Sequence, residues 1–211
     1  TFGLFFFDAD LDGWPDLFMA NGHVANEEHL RHVPYAQRPQ LFRNRGNDTF
    51  EELQPGPDSV LARPIVGRGA AYADYDNDGD LDWFVSSIWD PNGVAEGNWD
   101  VTGNRLYRNR GDGTFENVTA RAGISGESLA HSATWWDYNE DGWPDIYVAN
   151  DFGPPDKLYR NNRDGTFTDV VHDVVRQISY SAMGTDLGDV NNDGRIDMYV
   201  ADMASTSHEK D

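Results

Sequence analysis

A nine-residue acidic segment occurs four times in this chain of 211 residues. The copies read DADLDGWPD at 8–16, DYDNDGDLD at 74–82, DYNEDGWPD at 137–145 and DVNNDGRID at 189–197. Each copy has Asp or Asn at positions 1, 3 and 5, Gly at position 6 and Asp at position 9. A chain whose formal charge is −21 gains nothing electrostatically by concentrating repulsion in short stretches. The common spacing of the acidic residues therefore indicates that the four segments have the same function.

The spacing of these side chains suits a hard cation. When the segment curls, positions 1, 3 and 5 converge, Gly at position 6 permits a sharp turn, and position 7 offers a backbone carbonyl. The last Asp can chelate with both oxygens. Crowded carboxylates favour calcium over magnesium, which requires a stricter octahedron. We therefore predict up to four Ca²⁺ sites. The third and fourth sites, with Asn at position 3, are expected to bind more weakly. The alternative interpretation of each copy is a solvated Asp-Gly turn.

Aromatic and β-branched residues flank every acidic segment. The preceding runs are FGLFFFD, RGAAYAD, HSATWWD and AMGTDLGD, and the following runs begin LFMA, WFVSS, IYVAN and MYVAD. Such runs indicate strands, whereas an EF-hand loop continues into a helix and places its last acid later. Each acidic segment is therefore predicted to connect two antiparallel strands.

A second repeat lies between the acidic segments. It reads LFRNRGNDTFEEL at 41–53, LYRNRGDGTFENV at 106–118 and LYRNNRDGTFTDV at 158–170. Each copy combines two strand-like runs with a Gly/Asn/Asp turn, which predicts a hairpin. We call these segments RN hairpins 1, 2 and 3. The second contains the cell-adhesion tripeptide Arg110-Gly111-Asp112, but the equivalent turns read RGN and NRD, so we interpret it as a turn.

One period of the sequence thus supplies four antiparallel strands. We predict an all-β fold, a β-propeller of four-stranded antiparallel blades, in which small residues lie near a crowded axis. Those small residues are Gly69, Ala70, Ala71 and Ala133. The prediction treats 1–211 as a single partial propeller with repeats at roughly 1–66, 67–130, 131–180 and an incomplete 181–211.

These residues carry a family resemblance that covers nearly the whole chain. The chain resembles the FG-GAP/VCBS repeat proteins, whose calcium loops are also similar to those of integrin α-subunit propellers. The resemblance implies a ring of about seven blades, of which this chain would supply about three and a half. A partial ring exposes strand edges and apolar faces, so the remaining blades are expected from the same longer chain or from a partner chain.

The resemblance also implies the metal ligands. Side-chain ligands are expected at Asp8, Asp10, Asp12 and Asp16, at Asp74, Asp76, Asp78 and Asp82, at Asp137, Asn139, Asp141 and Asp145, and at Asp189, Asn191, Asp193 and Asp197. Backbone carbonyl ligands are expected at Trp14, Asp80, Trp143 and Arg195.

Composition and missing motifs narrow the function. An excess of 37 acidic over 16 basic residues argues against nucleic acid and anionic lipid as partners. The absence of cysteine excludes disulfides and thiolate metal sites. No apolar run is long enough to predict a transmembrane segment. No GxSxG, P-loop or HExxH motif is present, so no catalytic residue is predicted.

The sequence therefore predicts a calcium-stabilised binding or assembly module that is secreted, located at the cell surface or periplasmic. Its rim loops would contact a protein or carbohydrate ligand, and Trp89 and Trp99 are candidate contact residues. The alternative is a carbohydrate-active enzyme, a polysaccharide lyase or hydrolase on a propeller scaffold. A rod of thrombospondin-type calcium repeats is disfavoured, because such rods have denser loops and cysteines.

Overall fold

A computed structural model describes residues 1–23, 32–88, 103–124, 128–152 and 154–203. In these residues the chain forms fourteen strands and two short helices. The strands are β1 (Gly3–Phe7), β2 (Asp16–Ala20), β3 (Gln40–Asn44), β4 (Phe50–Glu52), β5 (Gly67–Ala73), β6 (Asp82–Ser87), β7 (Arg105–Asn109), β8 (Phe115–Asn117), β9 (Ala130–Trp136), β10 (Asp145–Asn150), β11 (Lys157–Asn161), β12 (Phe167–Asp169), β13 (Ala182–Gly188) and β14 (Asp197–Asp202). A 3₁₀ helix covers Val60–Ala62 and helix α1 covers Val171–Val174. No helix in this part of the chain is long and apolar enough to cross a membrane.

The strands form antiparallel sheets in the order in which they follow along the chain. Three sheets have four strands each, β1 to β4, β5 to β8 and β9 to β12, and β13 pairs with β14. This arrangement confirms the predicted all-β fold of four-stranded antiparallel blades. The sheets do not close into a ring within the described residues, and the seven-bladed ring stays a prediction.

The register places each acidic segment at the end of a hairpin. The residue before the segment pairs with its last Asp in every copy, as in the pairs Phe7↔Asp16 and Ala73↔Asp82. The third strand of each complete sheet then ends on the Asn of its RN hairpin, which pairs with the Phe that begins the fourth strand. The acidic loops and the RN hairpins therefore meet at the same end of the sheets.

The first strands of successive sheets pack against one another, β1 on β5, β5 on β9 and β9 on β13. A Cβ added to Gly69 would lie 2.6 Å from the Ser86 Oγ and 2.9 Å from the His131 carbonyl oxygen. Such distances are shorter than van der Waals contact allows. The first strands are therefore closely packed at Gly69, while the position of Gly69 near a propeller axis stays a prediction.

The hydrophobic core lies between neighbouring sheets. Trp83 is fully buried between the first two sheets, with ring centroids 4.4 Å from Phe18 and 3.7 Å from Phe115. A second cluster, which includes Ile146, joins the second and third sheets, and a third joins the third sheet to β13 and β14. Burying an aromatic side chain stabilises the fold by about 1.5–3 kcal/mol. Packing against its neighbours therefore stabilises each sheet.

Apolar side chains are exposed at both ends of this array. Leu4 and Phe6 on β1 alternate with residues that face the second sheet, and they are 57% and 55% exposed. Tyr199 on β14 is 69% exposed, while its neighbours Met198 and Val200 pack against the third cluster. Period-two alternation of this kind leaves one face of each end sheet uncovered.

Candidate metal centre

The four acidic segments, called loops 1 to 4 in chain order, share one backbone conformation. Gly at position 6 has a positive φ in every loop, between 84° and 93°. The residue at position 4 also has a left-handed backbone conformation in every loop, although it is never Gly. These residues are Leu11, Asn77, Glu140 and Asn192, with φ between 56° and 59°. A left-handed residue other than Gly costs about 1–2 kcal/mol. Surrounding hydrogen bonds must therefore hold the loop in this form.

Loop 2 illustrates those hydrogen bonds. Asp74 accepts the N–H of Asp78 at 3.1 Å and the N–H of Gly79 at 3.0 Å. Asp78 Oδ1 accepts the N–H of Asp80 at 3.0 Å. The same bonds recur in loops 1, 3 and 4 between positions 1 and 5, 1 and 6, and 5 and 7. Backbone amides therefore fix the direction of the carboxylates.

The Asp at position 9 is buried in the three complete sheets, with exposures of 2% for Asp16 and 0% for Asp82 and Asp145. In loop 2, Asp82 Oδ2 accepts the N–H of Tyr75 at 3.1 Å, and Oδ1 accepts the N–H of Asn109 at 2.8 Å. Loops 1 and 3 have the same pair of bonds.

Burial disfavours the charged form of these carboxylates. It raises the pKa of Asp82 to about 8 and that of Asp145 to about 6, and it also raises the pKa of Asp16. A positive charge beside these groups would restore their ionised form.

Loops 1 and 2 each gather three carboxylates. The groups are Asp8, Asp10 and Asp16, and Asp74, Asp76 and Asp82, and in each group oxygens from all three residues lie within 4.8 Å of one another. Two oxygens bound to one calcium ion at about 2.4 Å can be at most about 4.8 Å apart. One buried oxygen in each group, Oδ1 of Asp10 in loop 1 and of Asp76 in loop 2, has no hydrogen-bond partner among the described residues. Both groups therefore fit a divalent cation in spacing, charge and unmet bonding capacity.

Position 3 separates the loops into two types. In loops 3 and 4 this position is Asn, and the side-chain oxygens of Asn139 and Asn191 accept the N–H of position 5 at 3.0 Å and 2.9 Å. The carboxylates of Asp137, Asp141 and Asp145 remain in loop 3, and those of Asp189, Asp193 and Asp197 remain in loop 4. At the expected ligand positions, these loops offer one carboxylate fewer than loops 1 and 2.

The expected carbonyl ligands at position 7 and the candidate contact tryptophans remain untested by the arrangement of the loops. At position 7, the N–H groups of Trp14, Asp80, Trp143 and Arg195 donate to position 5, and the proposed role of their carbonyls stays a prediction. Trp89 and Trp99 lie outside the described residues. The Arg110-Gly111-Asp112 segment forms a turn, in which Asp112 accepts the N–H and hydroxyl of Thr114.

The structure adds a set of residues that the sequence analysis did not single out, the asparagines of the RN hairpins. The side-chain amide of Asn109 donates to the carbonyl of Ala9 in loop 1 at 3.2 Å. Asn161 donates in the same way to the carbonyl of Tyr75 in loop 2 at 2.8 Å. Each Asn therefore supports the acidic loop of its own sheet and ties it to the loop of the preceding sheet. The Arg-Asn pair that recurs in all three hairpins is the feature of the sequence that could have identified these asparagines.

Comparison with known proteins matches this chain to the FG-GAP-like repeat over residues 8–85, 94–148 and 137–200. The chain is also 26% identical over 200 residues to cartilage acidic protein 1 of Xenopus tropicalis. That alignment covers 90% of this chain and 29% of the relative, so the chain spans less than a third of the relative's length. The matched repeats include all four acidic loops up to residue 200, together with the RN hairpins. The chain therefore belongs to the FG-GAP-like repeat family.

Proposed function

We propose that this chain is a calcium-stabilised, extracellular or periplasmic binding and assembly module. The observation that carries the proposal is the pair of three-carboxylate groups in loops 1 and 2, each with a buried oxygen that accepts no hydrogen bond from the described part of the chain. In loop 2 the ion would be held by Asp74, Asp76 and Asp82, and it would supply the charge that offsets their repulsion and desolvation. Loops 3 and 4 would bind through the corresponding positions.

The role proposed for calcium is structural. Loops 1 and 2 each accept a bond from the next sheet, through Asn109 and Asn161. An ion that rigidifies a loop therefore also stabilises the joint between two sheets, and with it the connecting segments that make contacts. Millimolar calcium outside cells would fill loops of modest affinity, whereas cytosolic calcium would leave them largely empty.

The partners proposed for this module are a protein or carbohydrate ligand, with Trp89 and Trp99 as contact residues, and further strands of the same repeat type. The exposed apolar side chains on β1 and β14 support the second of these. Their exposure is expected where another sheet, from a longer chain or a partner, would pack. Membership of the FG-GAP-like repeat family supports a role in protein contacts.

A binding role is better supported than a catalytic one. The described residues include a groove of about 260 Å³ beside loop 2, lined in part by Tyr75, Asp76, Arg108 and Asp164. A hydrolase would need a carboxylic acid with a raised pKa there, but hydrogen bonds from Thr166 lower the pKa of Asp164, and Asp76 is paired with Arg108. A lyase would need a base there, but burial raises the pKa of Tyr75 to about 12, so its hydroxyl stays protonated at physiological pH. Arginine is also charged at that pH and cannot accept a proton.

Thermal unfolding followed by circular dichroism tests the proposal, with calcium titrated into chelator-treated protein and magnesium as the control cation. One site saturated to 100 times its dissociation constant contributes about 2.7 kcal/mol, or about 5–10 °C in a chain of this size. We expect a calcium-specific rise that Asp82→Ala reduces. Asp80→Ala is the matched control, because it removes a carboxyl group from the same loop at a position assigned only a carbonyl. An unchanged melting temperature at millimolar calcium would overturn the proposal.

A further inference from the structure

We propose that Arg43 and Arg108 compete with the cation for the acidic side chains of loops 1 and 2, and thereby lower the calcium affinity of these two loops. The inference rests on the proposed calcium binding and concerns how the chain sets its strength. Both arginines occupy the same place, one residue before the Asn that ends the third strand of its sheet.

Arg108 bridges two of the expected ligands of loop 2. Its Nε donates to Asp76 Oδ2 at 2.5 Å, and its Nη2 donates to Asp78 Oδ2 at 2.6 Å. The other oxygen of Asp78 already accepts the N–H of Asp80. A cation that binds Asp78 Oδ2 must therefore share this oxygen with the guanidinium or displace it. Asp76 Oδ1 is buried and has no donor among the described residues, so the loop remains open to a cation while Asp76 Oδ2 is held by the guanidinium.

Loop 1 repeats this arrangement with different neighbours. Arg43 forms an ion pair with Asp10 Oδ2 and lies 3.6 Å from Asp12 Oδ2. The second oxygen of Asp10 is again buried, and no described residue donates to it. Loops 1 and 2 therefore share one arrangement, in which an arginine of the third strand lies beside positions 3 and 5 and the second oxygen of position 3 accepts no hydrogen bond from the described residues. Such recurrence argues for a shared role rather than for a chance surface pair.

Loop 3 provides an internal comparison. Its position 3 is the neutral Asn139, and the equivalent arginine, Arg160, is exposed and forms no ion pair with the described residues. The position-5 carboxylate of this loop pairs instead with Arg163 of the hairpin turn, at 2.9 Å. The third-strand arginine thus engages its loop only where position 3 is Asp. It offsets one of the four ligand charges in loops 1 and 2, as Arg163 offsets one of the three in loop 3.

The expected effect of the arginine charge on calcium affinity follows from electrostatics. A guanidinium about 6 Å from a divalent ion in a water-like dielectric weakens binding by about tenfold. Removal of this charge should therefore tighten calcium binding in that loop alone. If the arginine instead served to orient the carboxylates for the ion, its removal would weaken binding. The sign of the change therefore separates the two roles.

Calcium titration of the whole chain by amide NMR resolves the loops individually. The N–H groups of Gly13, Gly79, Gly142 and Gly194 donate to position 1 of their own loops, so each reports on one loop. In Arg108→Gln we expect the Gly79 midpoint to fall about tenfold in calcium concentration, with the other three unchanged. Arg160→Gln is the matched control and should leave every midpoint unchanged.

The outcomes distinguish the inference from the proposed function. If no glycine responds to calcium in the unmodified chain, the proposed calcium binding fails and the inference fails with it. If the glycines respond but the Gly79 midpoint in Arg108→Gln stays or rises, only the inference is overturned. Should that variant not fold, Arg43→Gln with Gly13 as the reporter provides the same test in loop 1.

Discussion

Asn161 gives the sharpest test of how the sheets are joined. Its side chain is 3% exposed, and its amide donates to the carbonyl of Tyr75 at 2.8 Å and to the carbonyl of Pro144 at 3.2 Å. Its side-chain oxygen accepts the N–H of Arg163 at 2.9 Å. Asn161→Ala removes all three bonds but leaves the backbone N–H that supports Asp145. The variant therefore weakens the joint between sheets without changing a proposed ligand.

The expected loss of stability in Asn161→Ala follows from the polar groups that the substitution leaves unpaired. Two carbonyls and one N–H lose their partner, and each buried group without a partner costs about 1–3 kcal/mol, with partial relief where water can enter. We expect a loss of about 2–4 kcal/mol in the free energy of unfolding, which is about 5–15 °C in melting temperature. Urea unfolding with calcium present measures this loss directly.

Asn162→Ala is the control for this prediction. Asn162 is the next residue and is exposed, and among the described residues its side chain bonds only to Thr166 and Thr168 of its own hairpin. Its replacement should cost less than about 1 kcal/mol. Equal losses in the two variants would refute the reasoning that the buried asparagine joins neighbouring sheets.

Three further predictions concern the loops. Gly111 has a φ of 69°, and a Cβ there would lie 2.6 Å from Asp80 Oδ2. Gly111→Ala should therefore lower the free energy of unfolding, measured in urea, by at least about 1 kcal/mol. Part of this loss should return in the double variant with Asp80→Ala. Because burial raises the pKa of Asp82 from 3.8 to about 8, the folded chain holds a proton that the unfolded chain releases. Chelator-treated protein should therefore lose stability as the pH rises from 5 to 8, and Asp82→Asn should lose less; an identical pH profile for the two would contradict this. Asn191→Asp adds a carboxylate to loop 4 and should lower the calcium midpoint of Gly194, and a higher midpoint would mean that ligand charge does not set affinity.

The strands and hairpins could be predicted because their determinants are local. Aromatic and β-branched runs on both sides of DADLDGWPD and its copies define strand, turn and strand without reference to distant residues. Repetition of the RN hairpin then fixed the four-stranded period. The sharp turn at position 6 was also predictable, because Gly is the residue that enters the left-handed region most readily.

The support of the loops could not be predicted, because it comes from distant residues. Tyr75 and Asn161 are 86 positions apart, and only the packing of the third sheet on the second brings them together. The left-handed conformation of Leu11 and Glu140 had no local signal, although the Asn residues at the equivalent positions of loops 2 and 4 tolerate it. The contact of Arg108 with Asp76 and Asp78 also depends on the register between strands β6 and β7.

Anomalous diffraction from crystals grown with millimolar calcium tests whether the acidic loops bind calcium, because it locates each ion. We predict a calcium peak within ligand distance of Asp8, Asp10 and Asp16, and another within ligand distance of Asp74, Asp76 and Asp82. We predict weaker peaks in the two loops that carry Asn at position 3. Well-ordered loops 1 and 2 without an anomalous peak at saturating calcium would contradict calcium binding, and the acidic segments would then be solvated turns.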